Sequence, residues 1–352
     1  MKRAFIAYTS FHLLNVLEFV LSNDIKDADL FSLCMFRDHE GVMDRIIQAH
    51  VFDNVYVCDA STLQKNEKMW TFIGMLSPSL LVRHLFGIGD IRSKDYLEIY
   101  FSVPTRFIDI FMSMYKDARV LAYDDGLGSY LGDVFSNELG RKYKAVMSLF
   151  GIKKRYPECV YLNNPDFSIA EYNCTVKPLT GGALSDEHKS LIYGIFDVKY
   201  DGEYDRYKCI YLNQPHSDSV VAAYTEDEKN ILDVLDKEKT LVRLHPREKN
   251  KEFYSAFEID KGSMWELLCM DHIGDDHVLV SRFSTALFTP KMICSKEPTV
   301  IFTYDLARDS GVNDRMKDMI EVLRKSYSDP GKIIIPGSVD EFRQALIRGC
   351  HG

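Results

Sequence analysis

The sequence is short of almost everything that would take it out of the ordinary globular class. Glycine and proline are sparse, at 20 and 11 of 352 residues, which excludes collagen-like and low-complexity chains. No apolar run approaches the ~20 residues that a membrane-spanning helix needs. No two of the eight cysteines form a CxxC or CxxxC pair, so a structural zinc site is not expected. Several lie in strand-like runs such as FSLCMF and VYVCDA and read as buried thiols of a reducing compartment. Basic charge is lacking too. Lys and Arg number 43 against 52 Asp and Glu, a net charge of -9, and no basic stripe suited to nucleic acid is visible. That average leaves room for a local basic pocket for small anions. The N-terminal MKRAFIAYTS lacks the h-region and cleavage site of a signal peptide. A cytoplasmic location is expected, and contact with the inner face of a membrane stays open.

What is present is core-forming surface. Hydrophobic residues make up 46%, with 21 Phe and 20 Tyr, too much for a disordered chain. Short β-rich runs alternate with helical periodicity. Strands are expected at 3–8, 28–36, 54–60, 96–103 and 118–126, with helical patterns between them. The pattern restarts with strands at 208–215, 239–246, 276–283, 299–305 and 332–337. This is the signature of βα units building mostly parallel sheets. The fold class is α/β, in two halves, 1–205 and 206–352, joined by the stretch from about 160 to 205. Two Rossmann-like domains facing across a cleft match the GT-B architecture. Ligands in such sheets sit at the carboxyl ends of the strands.

Four strand ends carry candidate chemistry. In YDDGLGSY, Asp124 and Asp125 precede Gly126. Adjacent carboxylates can share base work, one raising the pKa of the other; the plainer reading is an Asp-Gly turn. In LVRLHPRE, His245 arrives at a strand end, is fixed by Pro246 and is flanked by Arg243 and Arg247. That set suits a phosphate, against a surface turn with scattered cations. In SRFSTALF, Ser284 or Thr285 begins an expected helix, either as an anion site or as a simple N-cap. In YLNQPHSDS, Asn213 and Gln214 could read a base or sugar, and His216 or Asp218 could face the cleft; the alternative is a polar loop. Thr9, Ser10, Phe11 and His12 bridge the first strand and helix and would line the same cleft.

In order and spacing, these motifs resemble the bacterial lipooligosaccharide sialyltransferases, glycosyltransferase family 52, and share elements with bacterial polysialyltransferases. Asp124-Asp125-Gly126 matches the acid-acid-Gly motif, His245-Pro246 the HP motif and Ser284-Thr285 the Ser/Thr motif. Gln214-Pro215 followed by Asp218 matches the family's QP turn, loosely, since His216 directly follows Pro215. The resemblance implies a GT-B fold and inverting transfer from CMP-sialic acid to a galactose-type hydroxyl of a surface glycan, lipooligosaccharide or capsule. No metal or other cofactor is implied. A carboxylate would be the base, with Asp218 and Asp125 ranked close together and Asp124 behind. His245 would assist departure of CMP. Gln214, Pro215, Arg243, Pro246, Ser284 and Thr285 would form the donor side, and Gly126, Ser10 and His12 the acceptor side. The expected partners are a CMP-sugar donor and a glycan acceptor, without nucleic acid; peripheral membrane contact and a homodimer are left open. Other readings are a transferase for another CMP-activated acid such as Kdo or legionaminic acid, a UDP-sugar epimerase, and a binding protein that has lost catalysis.

Overall fold

The computed structural model describes all residues except 1, 37, 60–64, 90, 92–93, 137–140, 181–183, 215–220, 308–311 and 352; for 141–144, 221–225, 350 and 351 it describes the backbone. The chain divides into two compact units, residues 1–196 and 197–352.

The first unit is built on a seven-stranded parallel sheet: β1 (Lys2–Ala7), β2 (Ala28–Cys34), β3 (Asn54–Asp59), β4 (Tyr96–Phe101), β5 (Arg119–Tyr123), β6 (Cys159–Leu162) and β7 (Thr175–Pro178), in the spatial order β3-β2-β1-β4-β5-β6-β7. All seven residues of β2 are buried, as expected of a parallel strand covered on both faces. Aromatic rings fill the space around β1. Phe5, 1% exposed, stacks on Tyr100 at 4.4 Å and meets Phe19 of helix α1 (Ser10–Ser22) at 6.1 Å. The helix starts where Thr9 takes an extended conformation and its hydroxyl accepts the His12 N–H at 3.2 Å, an N-cap that meets one of the helix's unpaired donors.

The second unit holds a six-stranded parallel sheet: β8 (Cys209–Leu212), β9 (Thr240–Arg243), β10 (Glu258–Ile259), β11 (Val278–Ser281), β12 (Thr299–Phe302) and β13 (Ile333–Ile334), in the order β10-β9-β8-β11-β12-β13. Among the described residues, no helix is long and apolar enough to cross a membrane.

Two features differ from the sequence-based expectation. The joining stretch, where no strand was expected, carries β6, β7 and the helix Asp186–Phe196, all in the first unit. β6 and β7 have only four residues each, and β7 ends in Pro178 at the sheet edge, where a missing N–H is tolerated. The division also falls after Phe196 rather than after residue 205. Residues 197–206 are tied to the second unit, where the Lys199 N–H donates to Ser263 Oγ and the Tyr204 hydroxyl to Asp260.

One buried acid stands out in the first unit. Asp109, 4% exposed, lies on the helix Arg106–Met112. Burial pushes its carboxyl up to about 6, against the pull of Lys154. The folded state therefore holds a proton that the unfolded chain releases between about pH 4 and 6, and stability falls as pH rises through that window. Asp109→Asn should remove this slope and raise stability at pH 7 by up to about 3 kcal/mol, measured by urea denaturation at pH 4.5 and pH 7.

Candidate active site

In each sheet the strand order reverses once. In the first it reverses between β1 and β4, in the second between β8 and β11. The connections leave in opposite directions there, so the carboxyl ends open a crevice where ligands of parallel sheets bind. The chemistry-bearing residues of both units lie at these points.

In the first unit the central group is His12, 2% exposed, two residues into α1. Its Nδ1 receives the Tyr8 backbone N–H at 3.3 Å and the Ser102 hydroxyl at 3.1 Å. With two donors aimed at Nδ1, the ring hydrogen is assigned to Nε2, which donates to Asp125 Oδ1 at 2.6 Å. Asp125 keeps 26% of its side chain exposed, and its backbone N–H donates to Ser129 Oγ at 3.0 Å. The pair therefore has an orienting end in the core and a carboxylate that reaches solvent. Gly126 permits the turn, with φ at +100°, a region that L side chains avoid.

Asp124 differs completely from its neighbour. It is 0% exposed and accepts the Gly126 N–H at 2.7 Å, the Asn163 N–H and side-chain amide at 3.0 Å each, and the Tyr130 hydroxyl. Burial raises its pKa, and these donors oppose the rise. Asn15 donates to the Asp124 carbonyl at 2.9 Å, and Asn163 to Asn15 at 3.1 Å. Asp124 is thus a knot tying α1, β5 and the end of β6 together. Its side chain is fully enclosed by these partners. Ser10 opens α1 half-buried and is not one of the groups holding the pair.

The second unit presents a cavity of about 420 Å³ whose wall includes Gln214, His245, Arg247, Arg282, Ser284 and Thr285, a size suited to a nucleotide. It gathers the strand ends of β8, β9 and β11. His245 is anchored at both backbone and ring: its N–H donates to Asn213 Oδ1, and Nδ1 accepts the Arg247 N–H at 3.1 Å. The ring hydrogen is again assigned to Nε2. Burial, then Arg247, lowers the His245 pKa, with Glu248 opposing, so the imidazole is uncharged at neutral pH and offers one N–H donor. Pro246 is exposed and shapes the turn in which the Glu248 N–H returns to the His245 carbonyl at 2.8 Å. It is not part of the cavity wall.

Several expectations change here. Arg243 does not line this cavity. It pairs with buried Asp260, donates to the Ser263 carbonyl and to Tyr204 Oη at 3.3 Å, and lies 5.2 Å over Trp265. Asp260, just past β10, and the aromatic core claim it. Arg247 and Arg282 take its expected place on the wall. Asn213, 3% exposed, is held by Glu248 and Tyr254 at 2.9 Å each and cannot read a base. Ser284 and Thr285 do not open a long helix. They begin a three-residue 3-10 turn, where Ser284 Oγ accepts the Ala286 N–H at 3.3 Å; the N-cap reading is realised. Pro215, His216 and Asp218 lie outside the described residues.

Sequence reasoning passed over Ser102, Tyr8 and Arg282. Each directly follows a strand, at β4, β1 and β11. The strand-end criterion would have found them if applied to every strand rather than to motifs.

Comparison with solved structures gives the GT-B fold. The GT-B domain (residues 113–497) of a sialyltransferase from Photobacterium damselae matches 94% of this chain and 99% of its own length, with a TM-score of 0.54 at 13% identity. CalG4, the calicheamicin glycosyltransferase, matches 100% of this chain and 90% of its own length, with a TM-score of 0.50 at 8% identity. At such identities the likeness is one of fold. No family model matches the chain, and no curated protein matches it by sequence.

The two acids should respond unequally to substitution. Asp124→Ala leaves several buried donors unpaired and should cost about 3 kcal/mol or more. Asp125→Asn should cost no more than about 1 kcal/mol. Urea midpoints of the two variants measure the difference, and equal losses would refute the division of roles.

Proposed function

We propose that this chain is a glycosyltransferase that moves sialic acid from CMP-sialic acid to a galactose-type hydroxyl of a bacterial surface glycan, with inversion. The observation that carries the reading is the His12–Asp125 pair at the reversal point of the first sheet. The motif resemblance supplies the substrate class, and the GT-B fold is consistent with it.

In this reading the first unit serves the acceptor and the second the donor. The acceptor oxygen attacks the anomeric carbon as the bond from that carbon to the CMP phosphate oxygen breaks. The electron pair of the broken bond leaves on the phosphate, and the acceptor proton passes to Asp125. His12 acts through Asp125 as a positioning residue: its Nε2–H fixes one carboxylate oxygen and leaves the other to meet the hydroxyl. Of the proposed bases, Asp125, which reaches solvent, is favoured over Asp124, which is fully buried.

The leaving phosphate gains negative charge in the transition state. The His245 Nε2–H is a donor suited to it, and Arg247 and Arg282 supply cations on the same cavity wall. Groups fixed in place before the charge appears stabilise the transition state more than the ground state. Gln214, Ser284 and Thr285 remain proposed donor contacts. With two guanidinium groups to meet the phosphate, we assign no resident metal, and turnover should be insensitive to EDTA.

The reading is tested by calorimetric titration with CMP, UDP, GDP and AMP. Selective CMP binding, weakened at least tenfold in His245→Ala, is expected; preference for UDP would overturn it. With donor and lactose as acceptor, Asp125→Asn should lower kcat by about 10²–10⁴ while leaving CMP affinity unchanged. Full activity in that variant would remove Asp125 as the base.

A further inference from the structure

The first unit has a second cavity, of about 320 Å³, bounded by Tyr8, β2 and three helices. Trp70 comes from the helix Glu67–Leu76, Leu81 from Pro78–Phe86 and Ile110 from Arg106–Met112, with Leu33 and Met35 at the end of β2. The helices approach closely because residue 74 is glycine. A Cβ there would lie 2.6 Å from Leu81 and 2.9 Å from Ile110.

Four of the polar groups on this wall pair with one another. Tyr8 Oη and Thr105 Oγ1 share a hydrogen bond of 2.8 Å, and Arg106 pairs with Glu67 at 2.8 Å. A sugar ring placed here would give up hydrogen bonds to water and find few in return, which is unfavourable. An apolar group would lose nothing and would gain burial against Trp70, Leu81 and Ile110.

The cavity also adjoins the proposed reaction centre. Tyr8 lies on its wall, and the same residue donates its backbone N–H to His12, with the two rings 6.2 Å apart. His12 in turn holds Asp125. A residue of the cavity wall thus contacts the side chain that holds Asp125, which ties the cavity to the proposed acceptor site.

We propose that this cavity receives an apolar aglycone of the acceptor, an alkyl chain or an aryl ring attached to the sugar that is modified. The acceptor is then an amphiphilic glycoside, and its apolar end sets affinity while Asp125 handles the hydroxyl. This rests on the reading of Asp125 as the acceptor's base.

Binding can be tested without donor or turnover. The chain has two tryptophans. Trp265 belongs to the second unit, is 5% exposed and donates to the Ala286 carbonyl at 2.9 Å, so Trp70 is the reporter. Octyl β-galactoside added to the full chain should change tryptophan emission saturably. Methyl β-galactoside, which carries the same sugar, should not. Affinity should rise about fourfold for each methylene that enters the cavity, and phenyl β-galactoside distinguishes a ring from a chain. Trp70→Phe should abolish the signal. Met35→Glu, at a side chain already 52% exposed, should weaken octyl binding at least tenfold, read by calorimetry. Equal binding of the methyl and octyl glycosides, or a response that persists in Trp70→Phe, would overturn the proposal. If CMP selectivity or transfer fails while octyl binding behaves as expected, the cavity stands and the reaction reading falls. If transfer is seen but shows no preference for the octyl acceptor, the reverse holds.

Discussion

Everything functional in this protein depends on the reversal of strand order in its two parallel sheets. A parallel strand must be followed by a crossover, and each crossover here leaves from the same end of the sheet. Where consecutive crossovers diverge, between β1 and β4 and between β8 and β11, no helix covers the strand ends. Backbone emerging there is already fixed by the strand behind it. Side chains just beyond the strands are therefore held on rigid elements. In the first unit buried Ser102 and His12 hold Asp125, which reaches solvent; in the second Gln214, His245 and Ser284 line the cavity.

The same constraint explains why two adjacent aspartates take opposite fates. Successive residues leaving β5 point to opposite sides. One side is the packed interface of α1 with β6, where a carboxylate persists only if its oxygens are fully bonded. Asp124 meets that condition through Tyr130, Asn163 and Gly126. The other side is the crevice, where Asp125 needs a single orienting partner and retains solvent. The buried knot fixes the backbone that aims the exposed carboxylate, so the two acids are structurally coupled although only one is suited to chemistry.

The second unit repeats this logic with different groups. Asn213 is buried so that His245 can be presented: its side chain holds the His245 backbone, and Glu248 and Tyr254 hold the asparagine. Arg243 and Arg247 stand four residues apart on the two sides of the turn. The first is held by Asp260 and Trp265, and the second lines the cavity. In both units the polar network behind a functional group is larger than the group itself, which is what holding an orientation within a fraction of an ångström requires.

By itself, the sequence determined the α/β class, the two halves and the strand ends at which chemistry gathers. These follow from local properties: hydrophobic period, β-branched runs and turn residues such as Gly126 and Pro246. The short strands β6, β7 and β10 escaped it. Tertiary structure alone decided which member of each motif faces the crevice. The sequence offers Asp124 and Asp125 as equals and Arg243 and Arg247 as a pair. Burial, partners distant along the chain such as Asn163 and Asp260, and the hand of the backbone as it leaves the strand separated them. Those are properties of three-dimensional neighbours, and no spacing along the chain encodes them.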